Sequence, residues 1–291
     1  MSTIVPASNM PGLLSSSLAR EMRKLDPANH RVWLRQTPGW KERETGNRQA
    51  AGKESAGFLG TAAEDCLKLV FEIQEQEGRA STSGLASRLG VSEPTVTAMV
   101  KRLARLGFLE HTPYHGVILA PEGARVALEM IRHHRLLELY LVQKLGLAWD
   151  KVHEEADKLE HLISESVEER MDEVLGHPSA DPHGHPIPSR NGDVARLPER
   201  TLLDLAPDES ATVRHVPDRD PALLQYLAEL GIVPESVVTV LGVAPFGGPV
   251  TLRVGGREQA VGREVAGAIR VEGFQAPVLE RGGRRRSRRG Q

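Results

Sequence analysis

The ten residues VHEEADKLEH, from Val152 to His161, hold two histidines and four carboxylates. The spacing excludes the zinc-protease motif H-E-x-x-H, because the position four after His153 is Asp157. Wound as a helix, His153, Asp157, Glu160 and His161 follow i, i+4, i+7, i+8 and project from one side. Two imidazoles and two carboxylates on one stripe make half a site for a divalent cation. A charged face that only solvates a helix has the same composition, so the stripe needs a partner. The preceding segment supplies one. PEGARVALEMIRHHRLLELYLVQKLGL reads as a long helix opened by Pro121, with Glu122 at its positive end, and stopped by Gly146. Its apolar positions are Val126, Met130, Leu137, Tyr140 and Leu141, and on it His134 and Glu138 stand at i, i+4. Alone that pair reads as a surface ion pair. Two adjacent helices that both offer imidazole and carboxylate favour a metal site.

The rest of the chain must position these groups. At 291 residues it is long enough for two or three small domains. No apolar run approaches the ~18 residues of a membrane span, and the first residues lack a secretory signal pattern. The single cysteine, Cys66, excludes an internal disulfide framework and fits a reducing cytoplasm. Net charge is -2, yet RGGRRRSRRGQ at the end carries six arginines and no acid, which leaves the remainder acidic. Such a tail adds salt-sensitive attraction to phosphates or only solubility. Five pieces follow from composition. Residues 1–57 are polar and Gly/Pro-rich and read as a flexible extension with at most a short helix near Leu18 to Leu25. Residues 58–120 carry short helical patterns, and 121–190 carry two longer ones, broken at LGLAWD and followed by a Pro/Gly linker. Residues 200–273 show Val/Leu/Thr runs between Gly turns, as a small β-barrel does, and 274–291 is a disordered tail. The fold class is mainly α with a small β domain.

Within 58–120, TAAEDCLKLVFEIQEQEG reads as a helix with Thr61 as N-cap, with Cys66 turned to the core. STSGLASRLG is a second helix closed by Gly90. VSEPTVTAMVKRLARLGFLE is a third, with Ser92 at the N-cap and Pro94 in the first turn. Its buried stripe is Val96, Met99, Val100, Leu103 and Leu106. The opposite face offers Thr95, Thr97, Ala98, Lys101, Arg102 and Arg105. A short helix, a tight turn and a second helix form a helix-turn-helix. Small polar residues at the start of the second helix meet base edges, and the cations beyond them meet phosphates. FLEHTPYHGVILAPEG then reads as two strands joined at Tyr114-His115-Gly116, a wing. The alternative is a three-helix packing module that binds nothing.

Taken together, the winged helix, HHRLLELYL with LGLAWDKVHEEADKLEH, and DPHGHPIP resemble the diphtheria-toxin-repressor family of metal-dependent transcription factors, manganese-responsive members included. The resemblance runs from about Gly60 to Pro188 and more weakly through 200–273. It implies a winged helix-turn-helix domain, a helical metal-binding and dimerisation domain, and an SH3-like C-terminal domain. It also implies two metal sites per subunit. One would use His134, Glu138 and His153, completed from PDRDPALLQYLAELG, where Asp218 and Asp220 stand and the family position points to Asp220. The other would use Asp157, Glu160 and His161, joined by Asp65. Iron-responsive members carry sulfur ligands at the positions of Asp65 and Asp157. Oxygen ligands suit the harder Mn(II), and Fe(II) is the alternative. Lys68 stands where manganese members place a further acid, which points to one ion rather than a two-ion cluster there.

The expected function is a cytoplasmic homodimer, activated by Mn(II), that binds a palindromic double-stranded DNA operator and represses metal-uptake genes. No small organic substrate and no membrane partner is expected. An Fe(II)-dependent regulator of iron homeostasis is the alternative within the family. A metallohydrolase would need an open coordination position and a positioned base, and no nucleophile or oxyanion motif accompanies these ligands. A winged-helix protein that ignores metal is the remaining alternative.

Overall fold

The computed structural model describes residues 59–113 and 115–275, in two compact units that divide between Gly123 and Ala124. The expectations for residues 1–57 and for the arginine tail lie outside the described residues.

The first unit contains helices α1 (Thr61–Glu77), α2 (Thr82–Leu89) and α3 (Glu93–Arg105) and strands β1 (Leu109–Thr112) and β2 (Gly116–Leu119). α1 begins one residue earlier than expected, because Gly60 and not Thr61 occupies the N-cap. α2 is capped by Ser81, whose side chain accepts from the Gly84 N–H at 3.0 Å, and it ends on Gly90 in the left-handed region, φ 66°. α3 is capped by Ser92, which accepts from the Thr95 N–H, with Pro94 in its first turn. The apolar stripes of the three helices meet in a core of Cys66, Leu67, Val70, Leu85, Val96, Val100 and Leu103. Each such leucine contributes about 1.5–3 kcal/mol by burial. Leu106 departs from the expected stripe and is exposed. It is the C-cap of α3, where Gly107 at φ 82° turns the chain before Leu106 can pack. β1 and β2 pair antiparallel, Leu109 opposite Leu119 and Thr112 opposite Gly116. Ala80 bridges to Val117, and the Gln74 side chain accepts from the Leu119 N–H at 2.9 Å, so the wing is tied to α1. Gly123 has no alternative here, since a Cβ would lie 1.9 Å from the Phe108 carbonyl oxygen.

The second unit opens with α4 (Pro121–Leu145, of which Ala124 onward belongs here), followed by α5 (Val152–Leu159) and α6 (Glu165–Val174). The second expected helical pattern is therefore two helices. α5 ends at Leu159, Glu160 keeps helical angles as its C-cap, and Ser164 begins α6 in extended geometry. A core of Leu136, Leu137, Leu139, Ala156, Met171 and Ile187 joins them. Next come β3 (Ser210–His215), α7 (Pro221–Leu230), β4 (Val237–Val243), β5 (Val250–Val254), β6 (Arg257–Val261), α8 (Arg263–Ala268) and β7 (Arg270–Gln275). The strands form one antiparallel sheet in the order β6-β5-β4-β3-β7, the small SH3-like architecture expected of 200–273. Its core runs from Leu202 through Leu224, Leu227, Val240 and Leu252 to Val271.

Candidate metal centre and nucleic-acid interface

On α3, Ser92, Pro94, Thr95, Ala98, Lys101, Arg102 and Arg105 are exposed and Thr97 is half-buried. The helix therefore presents a polar start and a cationic end on one open face. Ala98, Lys101, Ala104 and Arg105 line a shallow groove with His111 of the wing. On that face Lys101, Arg102 and Arg105 outnumber the one acid, Glu93 in the first turn, and provide the positive surface that backbone phosphates require.

In the second unit α4 brings its i, i+4 pair against α5. His134 Nε2 lies 3.0 Å from Glu138 Oε1 and 3.0 Å from His153 Nδ1, and His153 Nδ1 lies 3.0 Å from the same carboxylate oxygen. The other ring nitrogen, His134 Nδ1, lies 2.5 Å from Glu160 Oε2 and 3.3 Å from Asp157 Oδ1. Glu160 Oε1 is 3.8 Å from His161 Nε2. His134, Glu138 and Glu160 are all buried, with Glu138 and Glu160 only 1% exposed. Glu160 holds helical angles past the last residue of α5, which keeps it on the stripe that the spacing predicted. Five of the expected ligands, with His161 at their edge, thus converge. Asp65 lies on α1 of the first unit, half-buried.

Two residues complete the picture in ways the sequence left open. His183, in the linker, has zero exposure, and its Nε2–H donates to the Trp149 carbonyl at 2.9 Å. That leaves Nδ1 as the acceptor nitrogen of the neutral ring. It faces Glu138 Oε2 across 3.7 Å, and both atoms are buried without a hydrogen-bond partner. Once the ring gives up its Nδ1 proton, two lone-pair atoms at that separation suit a cation about 2.1 Å from each. Asp218 stands within ligand distance of the same pair. Asp220 does not join them, for its carboxylate caps α7, accepting from Ala222 N–H at 2.9 Å and Leu223 N–H at 3.4 Å. Asp181 shapes the linker by accepting from the His183 and His185 N–H groups at 2.8 and 2.9 Å. Gly184 fits because no side chain could, since a Cβ would meet the Arg214 carbonyl oxygen at 1.9 Å. The His183 carbonyl accepts from Val216 N–H at 3.0 Å, which fastens the linker to the β domain.

Imidazoles and carboxylates compensate one another within the cluster. Burial disfavours the His134 imidazolium, but Asp157, Glu138 and Glu160 outweigh it and hold the ring well above its ordinary range. His183 behaves likewise: burial lowers it, Glu138 and Asp181 raise it, and it reaches about 9. Burial opposes ionisation of Glu138, yet His134, His153 and His183 hold it well below the usual carboxylate range. Anionic oxygens that gather protonated rings around themselves are the groups a divalent ion would engage, with release of those protons. Cys66, at zero exposure and raised to about 11 first by burial and then by Asp65, is a core residue.

Comparison with known proteins agrees in each part. Residues 58–117 match the iron dependent repressor N-terminal DNA binding domain, 120–189 the iron dependent repressor metal binding and dimerisation domain, and 200–273 the FeoA domain. The chain is 34% identical over 219 residues to the iron-dependent repressor IdeR of Mycobacterium tuberculosis, covering 71% of this chain and 94% of that one. A solved manganese-dependent transcriptional repressor in complex with manganese superposes with a TM-score of 0.66 at 39% identity, over 72% of this chain and 98% of that one. The structure of ScaR with bound Cd2+ gives 0.62 at 31% identity, over 72% and 98%.

Proposed function

The chain belongs to the iron-dependent repressor family, and on that premise we propose that it is a Mn(II)-activated repressor with two metal sites per subunit. It is a metal-dependent DNA-binding transcriptional repressor with a dimerisation domain, and not an enzyme. The observation that carries the metal reading is the buried, unpartnered pair Glu138 Oε2 and His183 Nδ1, beside a second carboxylate–imidazole group built on His134 and Glu160. Every donor in these groups is a carboxylate oxygen or an imidazole nitrogen. Hard oxygen donors favour Mn(II) over ions that seek thiolate, and selection against later metals then rests on geometry and availability. Fe(II) shares this ligand taste and is the second reading, favoured by the iron-dependent relatives.

In this reading Glu138, His183 and Asp218, with His134 and His153, hold one ion, and Asp157, Glu160 and His161 hold the other. The sequence resemblance adds Asp65 to the latter set. An ion that draws a residue of the DNA-binding unit to residues of the helical unit selects one arrangement out of many. In a dimer that arrangement sets the separation of the two α3 helices against successive turns of a palindrome. Leu162, Val167 and Val174 stay exposed on the α5–α6 segment, apolar area that a second subunit would cover. Controlled genes would be those of metal uptake, and the site of action the cytoplasm. A tenfold activation needs only about 1.4 kcal/mol of coupling.

The test is operator binding with and without Mn(II) by the wild type, Glu138→Gln and His161→Ala. A metal-dependent gain of tenfold or more, lost in both variants, is expected. Variants that respond to Mn(II) like the wild type would refute the assignment.

A further inference from the structure

Consecutive residues of α4 grip Glu160 from two sides. His134 meets its side chain, while His133, turned about 100° away around the helix, meets its backbone, with Nδ1 3.2 Å from the Glu160 carbonyl oxygen. Glu160 lies past the last turn of α5, where helical hydrogen bonds no longer fix the carbonyl side of the chain. His133 Nε2 lies 3.1 Å from Glu168 Oε2 on α6. A carbonyl and a carboxylate only accept, so the ring donates from both nitrogens. Glu168 Oε1 in turn accepts from Arg132 Nε at 2.5 Å, and Arg132 also reaches Asp172 Oδ2 at 3.3 Å and the Pro188 carbonyl at 2.8 Å. His133, Arg132 and Glu168 are 6%, 7% and 8% exposed. Two cations and two carboxylates therefore balance in the interior, each satisfied by a directed hydrogen bond or ion pair, which is the condition under which buried charge is tolerated.

We infer that His133, locked by Arg132 and Glu168, is a positioning residue that fixes the backbone at Glu160 and so places the Glu160–His161 ligand pair for its ion. The inference rests on the reading of that pair as metal ligands. His133 touches no ion in this scheme. It supplies to a backbone carbonyl the kind of orienting hydrogen bond that outer groups supply to ligand side chains, and loss of such groups costs about 10- to 100-fold in metal affinity. A network that merely bolts α4 to α6 would show the same contacts, so the experiment must separate position from strength.

The experiment is a Mn(II) titration of the full chain, followed by electron paramagnetic resonance of free ion. It uses the wild type, His133→Leu, Glu168→Gln, His161→Ala, and each of the first two combined with His161→Ala. Expected is a loss of about tenfold or more in affinity for His133→Leu and Glu168→Gln alone, and less than a twofold further loss on top of His161→Ala, where the pair is already broken. Wild-type affinity in the single variants overturns the inference. So does an equal loss in both backgrounds, which would mark a general structural role. Unchanged binding in His161→Ala would instead refute the ligand reading beneath it. If His133→Leu shows no cooperative thermal transition, Glu168→Gln, a change of one atom type at constant shape, decides alone.

Discussion

Replacing Gly184 by alanine tests whether the linker's backbone sets the metal centre. Gly184 stands at φ 92°, next to His183, with the space of a Cβ already taken by the Arg214 carbonyl oxygen at 1.9 Å. Contacts under 3.0 Å do not persist, so the linker or β3 must yield by about 1.1 Å, the difference between these two distances. Metal–ligand distances tolerate only about 0.2 Å. A displacement several times larger, one residue from His183 Nδ1, should cost at least about tenfold in Mn(II) affinity, as misplaced ligand shells do. The positive φ adds about 1–2 kcal/mol of destabilisation. Gly192→Ala is the control, for its φ is 80° but its nearest neighbour would be Leu128 Cδ1 at 3.4 Å, an ordinary contact. Isothermal titration with Mn(II) and thermal melting of the metal-free proteins separate the two effects. Both variants should melt lower, and only Gly184→Ala should lose affinity. Equal affinity in Gly184→Ala and the wild type would refute the claim that His183 is a ligand held by this backbone.

Three further outcomes are expected. His134 and His183 are held above their ordinary range, His183 near 9, so both carry protons at neutral pH that an ion must displace. Apparent Mn(II) affinity should therefore rise with pH between 6.5 and 8.5, by up to about tenfold per unit for each proton displaced; calorimetry in buffers of different ionisation enthalpy counts the protons, and a flat profile would contradict these charge states. Lys101→Ala and Arg105→Ala should weaken DNA binding across all sequences and each reduce the salt slope by about one, which fluorescence anisotropy at several salt concentrations measures. Leu227→Ala, at zero exposure in the β-domain core, should destabilise by about 2–5 kcal/mol in chemical denaturation, with DNA contacts on α3 untouched.

The recognition helix was legible because its signals are local. Ser92, Pro94 and the Val96–Val100–Leu103 spacing all act within two turns, and the structure keeps each of them. The His134–Glu138 pair was legible for the same reason. His183 was not, because it sits in an irregular loop where no period marks a buried face, and only the fold reveals that its Nδ1 meets Glu138. Choosing between Asp218 and Asp220 was beyond spacing as well. Both precede α7 by a few residues, and a carboxylate immediately before a Pro-initiated helix is drawn to the N-cap, which is where Asp220 goes. The break after Leu159 was hidden because Glu160 keeps helical angles through it. The helical period singled out His134 over His133, yet both serve Glu160, one through its side chain and the other through its backbone.

The most direct test of metal-gated DNA reading is selection from a random-sequence duplex pool by the metal-free protein and by the protein with Mn(II), Fe(II) or Zn(II). Recovery of a palindrome only with metal, and most strongly with Mn(II), is the predicted result. Equal enrichment with and without metal would contradict the account and return the acidic helix stripe to a solvated surface.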